Sequence, residues 1–61
     1  MAFDAQVDVD QGRNGRVQVF DGDRWVVTVD FVDGTVQGWE PLDADPEAME
    51  YAKRRFLEAS P

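Results

Sequence analysis

Apolar and polar residues alternate along most of the first forty positions of the chain. The alternating runs are "AFDAQVDVD", "RVQVF", "RWVVTVDFV" and "TVQGWE", rich in valine and aromatics. A period of two, in residue types that suit a pleated surface, predicts four β-strands. Three x-[Asn/Asp]-Gly turn signals separate them: Arg13–Gly15, Phe20–Gly22 and Val32–Gly34. Links this short join antiparallel neighbours, so the strands should form a meander of order 1-2-3-4.

The period then changes. In "DPEAMEYAKRRFLEASP", Met49, Ala52, Phe56 and Ala59 recur at helical spacing, with Ala48 beside them. Asp45 suits an N-cap and Pro46 the first helical position. Glu47 and Glu50 precede Lys53, Arg54 and Arg55, the order that the helix dipole favours. A helix is expected from about Pro46 to Glu58, with Ser60-Pro61 after it. The expected fold is α+β: a four-stranded antiparallel sheet, order 1-2-3-4, with one C-terminal helix on one face (ββββα), as one domain over residues 1–61.

Parity assigns the faces. Val7, Val9, Val17, Val19, Trp25, Val27, Val29 and Phe31 are all odd-numbered. They share one face if the first two loops hold an odd number of residues. Three-residue loops ending on a left-handed glycine, Arg13-Asn14-Gly15 and Phe20-Asp21-Gly22, meet that need. Val9 would then oppose Val19, and Val17 would oppose Trp25. This face is the expected core, covered by the helix stripe. One helix covers one side, so the back of the sheet meets water or a partner.

The third turn decides where Trp39 goes. A two-residue Asp33-Gly34 turn sets Phe31 opposite Val36 and Val29 opposite Gly38. Trp39 then falls on the back face opposite Thr28, near Val26. A three-residue loop would place Trp39 opposite Val27 and bring Gln37 into the core, where its amide needs partners. The two-residue turn is therefore the expected one, and Trp39 the expected back-face tryptophan. Tyr51 and Leu57 lie off the helix stripe and should pack at the rim of the sheet.

Composition narrows the function. The chain has 61 residues, net charge −7, no cysteine and no histidine. No disulfide or thiolate metal site can support so small a core, which leaves efficient packing, a carboxylate-bound metal or association. Such acidity disfavours non-specific binding to nucleic acid and to anionic membranes. Aspartate outnumbers glutamate nine to four and arginine outnumbers lysine five to one. That bias fits a salt-loving host and a GC-rich coding bias alike. With no long apolar run and no basic leader, a cytoplasmic location is expected.

Catalytic chemistry has little to build on. Without histidine or cysteine, no nucleophile has a readable base. Thirteen carboxylates in a chain too short for a deep cleft single out no acid–base pair. "DQGRNGRVQVFD" resembles a calcium loop in spacing only. Its third position is Gly12, its twelfth is Asp21 where a chelating glutamate belongs, and no helix flanks it. No catalysis, cofactor, metal or small-molecule substrate is inferred.

The expected function is a small acidic interaction or regulatory module. It should be a homodimer, or bind another protein, through the uncovered sheet face with Trp39, Val26, Val32 and Thr28 as anchors. The alternative is a nucleic-acid-associated regulator using Lys53, Arg54 and Arg55 with Arg13, Arg16 and Arg24. It requires those six cations to converge on one surface. No stretch carries a motif specific enough to name a family.

Overall fold

The computed structural model describes residues 2–60; Met1 and Pro61 lie outside them. The elements are β1 (Phe3–Val9), β2 (Gly15–Asp21), β3 (Arg24–Val32), β4 (Thr35–Glu40) and α1 (Pro46–Ala59), with a 3₁₀ turn at Gln11–Arg13. The strands form one antiparallel sheet of order β1-β2-β3-β4, and α1 packs across β1, β2 and β3. This is the ββββα fold that the hydrophobic pattern predicts.

Helix α1 starts where its capping residues place it. The Asp45 carboxylate accepts from the backbone N–H of Glu47 (3.0 Å), and Pro46 occupies the first turn. Its buried residues are Ala48, Ala52 and Phe56; Met49 is half-buried and Ala59 exposed. Beneath lie the fully buried Val17, Val19, Val27 and Val29, with Phe31 3% exposed. Phe56 stacks on Phe31, ring centroids 4.1 Å apart and planes within 3°. Full burial of a side chain of this size contributes about 1.5–3 kcal/mol.

The first two loops differ from expectation, although the core valines keep their face. β1 pairs with β2 through Val9↔Gly15, Val7↔Val17 and Ala5↔Val19. Val9 therefore does not meet Val19. The connection is the five-residue segment Asp10–Asn14, in which Gly12 and Arg13 take positive φ of 70° and 67°. Gly15 is an extended strand residue, not a left-handed turn glycine. A side chain there would strike the Asp8 carbonyl and Phe56 Cε1, the latter at 2.9 Å.

The second hairpin turns on two residues, Gly22-Asp23, with positive φ at Gly22 alone. An even loop would reverse the faces. A bulge restores them: Phe20 pairs with Trp25 and Val19 with Val27, leaving Val26 unpaired. Val17 consequently opposes Val29, not Trp25. Trp25 shares the back face with Phe20 and is 46% exposed.

The third turn is the expected two-residue Asp33-Gly34, with φ of 56° and 80°, the type I′ pattern. Phe31 faces Val36, as expected. The register then slips. Asp30 pairs with Gly38 and Val29 with Trp39, leaving Gln37 as a bulge. Trp39 therefore lies on the helix side, not opposite Thr28, which pairs with Glu40. The bulge places both Val36 and Trp39 on the apolar side and leaves Gln37 exposed. The polar amide is thereby kept out of the core.

The two loops at one end of the sheet are joined. Asp33 N–H donates to Asn14 Oδ1 (2.9 Å) and Gly34 N–H to the Arg13 carbonyl (2.8 Å). The Arg13 guanidinium lies over Gly34. Among the described residues, no helix is long and apolar enough to cross a membrane.

Candidate interaction groove

The two faces divide the four residues expected to form one interface. Thr28 and Val32 lie on the back of the sheet, and Val32 is 44% exposed. Val26, in the bulge, is half-buried against the core cluster. Trp39 lies on the opposite side, above Val29.

The back face takes a different tryptophan in exchange. Trp25 Nε1–H donates to Thr28 Oγ1 (2.8 Å), which ties the indole to the sheet. Charged residues surround this patch. Asp4, Asp8, Asp30 and Glu40 share the face with Arg16, four carboxylates to one cation, a net of −3. Arg16 pairs with Asp30 at 2.7 Å. That hydrogen bond and the Asp30 charge hold the guanidinium pKa above its ordinary value. Both groups are exposed, so the pair adds little to stability.

A more apolar surface lies on the helix side. Because α1 covers β1 to β3, the corresponding side of β4 remains open. Val36 is half-buried there and Trp39 is 40% exposed. From α1, Met49, Lys53 and Leu57 project toward β4 at i, i+4 and i+8 spacing. Leu57 is 55% exposed, and Leu42, from the β4–α1 connection, 83%. Trp39 Nε1–H donates to the Leu42 carbonyl (3.3 Å), which holds indole and loop together. Two shallow depressions result. One, of about 270 Å³, lies among Trp39, Leu42, Met49 and Lys53. The other, of about 320 Å³, lies among Phe31, Val36, Lys53 and Leu57. Lys53 borders both and reaches Glu50 at 3.7 Å. Of the five exposed large hydrophobics among the described residues, Trp39 and Leu42 line one depression and Leu57 the other, and the two, which share Lys53, make up the groove between α1 and β4.

The six cations do not converge. Arg54 and Arg55 flank the Tyr51 ring at 5.4 and 5.6 Å, on the β1 side of α1, where Tyr51 also meets Phe3. Arg55 donates to the Tyr51 hydroxyl (2.7 Å) and pairs with Glu58 (3.8 Å). Lys53 faces the groove, and Arg16 is on the back of the sheet. Arg13 and Arg24 lie at opposite ends of the sheet, beside Gly34 and opposite Asp21. Asp10 and Asp21, the ends of the calcium-like stretch, are separated by the length of β2. Tyr51 packs at the rim as expected, whereas Leu57 is left mostly open.

No protein-family model, curated protein or solved structure matches the chain.

Proposed function

We propose that the protein is a small acidic interaction module that holds a partner protein in the groove between α1 and β4, without a catalytic step. One observation carries this reading: the single helix leaves the apolar side of β4 uncovered, and Trp39, Leu42 and Leu57 gather there. Exposed apolar residues clustered around a tryptophan are what a binding surface needs. Trp39 keeps the anchoring role read from the sequence, on the other side of the sheet.

The back face supports association less well. Two copies packed through it would oppose net charges of −3, and its apolar residues are interleaved with carboxylates. Nucleic-acid binding has less support still, since the cations are dispersed and three of the six pair with carboxylates in a chain of net charge −7.

The test is a comparative pull-down from cells that express the protein. The double variant Leu42→Ser/Leu57→Ser should lose a partner that wild type and the back-face variant Val32→Ser both retain. Loss with Val32→Ser and retention with the groove variant would move the interface to the back of the sheet.

A further inference from the structure

Resting on that groove, we infer that its occupant is an amphipathic helix with a cationic polar face, laid beside α1 over β4. Dimensions come first. The axes of the outer strands of a four-stranded sheet are about 14 Å apart. A helix with its side chains is about 10 Å across. Helix α1 lies over β1 to β3, so β4 is two strand spacings, about 10 Å, from the middle strand beneath it, which is the separation at which two packed helix axes lie.

The walls favour a helix over a strand. Met49, Lys53 and Leu57 form an i, i+4, i+8 ridge, the kind of row against which a second helix packs. Val36 and Trp39 supply the floor. Strand addition would need a regular free edge on β4, and the Gln37 bulge interrupts that edge.

Charge selects the partner. Among the described residues, Lys53 is the cation shared by the two depressions and is already beside Glu50, while Arg13 reaches only Gly34 at the end of one of them. Arg54 and Arg55 are on the far flank of α1 against Tyr51. An incoming helix therefore meets a chain of net charge −7 with little positive charge at the contact, which favours lysine or arginine around its apolar stripe. A second copy is a poor occupant. Its own helix has already buried the Ala48–Ala52–Phe56 stripe, and it carries the same negative charge.

The probe is a synthetic peptide of about 18 residues, long enough to hold a helix, with leucine on one face and lysine on the other. A matched leucine/glutamate peptide is the control. Binding is followed by amide and indole chemical shifts and by sedimentation. The lysine peptide should shift Trp39, Met49, Lys53 and Leu57, and the glutamate peptide should bind at least about tenfold more weakly. Leu57→Glu should weaken the lysine peptide by roughly tenfold, as expected for loss of an apolar anchor. Non-specific attraction would do the reverse, because that variant is more acidic. Tighter or unchanged binding to Leu57→Glu, or shifts centred on Trp25, would overturn the helix inference. A wild-type dimer that Leu57→Glu dissociates would also overturn it, while leaving the groove as the interaction surface. If Leu57→Glu alters neither peptide binding nor self-association, and the Leu42→Ser/Leu57→Ser variant still captures the partner, the groove reading falls with it.

Discussion

Gly15 and Gly38 show how differently two strand glycines can act. Gly15 lies opposite Phe31, and the Phe56 ring fills the space above it. A methyl group there would strike Asp8 backbone and the Phe56 ring. Gly15→Ala should cost about 1–3 kcal/mol, the usual range for forcing atoms into a packed site. Urea denaturation would measure it, and an unchanged midpoint would mean that the β1 backbone at Asp8 and the Phe56 ring both give way. Gly38 has open space where its Cβ would be and no left-handed φ. Gly38→Ala should therefore stabilise the fold by about 0.4–1 kcal/mol, by restricting the unfolded chain. From sequence both positions read as glycines in or near strands. Asn14-Gly15 resembles a turn signal because glycine serves left-handed turns and close approaches alike. Only the position of Phe56, some forty residues away in the chain, separates the two uses.

At the scale of the element, the alternation of valines and the two-residue Asp33-Gly34 turn were legible because each depends on local backbone chemistry. The bulges at Val26 and Gln37 were not. Each adds one unpaired residue within a strand whose composition is otherwise ordinary, and each reverses the facing of what lies beyond it. For that reason Trp25 and Trp39 each lie on the face opposite to the one the sequence predicts. The Gln37 bulge makes a testable difference. Deleting Gln37 would leave Val36 opposite Phe31 and Trp39 opposite Val29 in an unbroken register, so Trp39 should stay on the helix side. The edge of β4 would become regular and so more open to pairing with other chains. The expected result is an unchanged Trp39 environment by indole chemical shift, with greater self-association in sedimentation. A variant that stays as dispersed as wild type would show that the bulge is not what guards this edge.

For the molecule as a whole, charge and fold pull in different directions. Thirteen carboxylates against six cations repel one another in the compact state. The three ion pairs among the described residues are surface pairs that offset little of this. Added sodium chloride should raise the thermal midpoint at neutral pH by screening the repulsion. A midpoint that falls steadily between low and physiological salt would mean that these pairs outweigh it. The sign of the charge and the absence of basic convergence could be partly anticipated from composition. The groove could not, because it arises from where one helix comes to rest across four strands.

The tie between the Asp10–Asn14 segment and the Asp33-Gly34 turn links two hairpins that the chain builds separately. The two N–H groups of the tight turn donate to Asn14 and Arg13, groups that belong to the other hairpin. Neither hairpin can lift away without breaking these bonds, so the sheet should open as one cooperative unit and not as two leaves. Hydrogen exchange offers a direct reading of that coupling. The Asp33 amide should be slow for a residue at a sheet end, and Asn14→Ala should speed it together with amides of β1 and β2. Turn amides are ordinarily quick to exchange; here they would act as a latch sensor, reporting from one hairpin on the opening of the other.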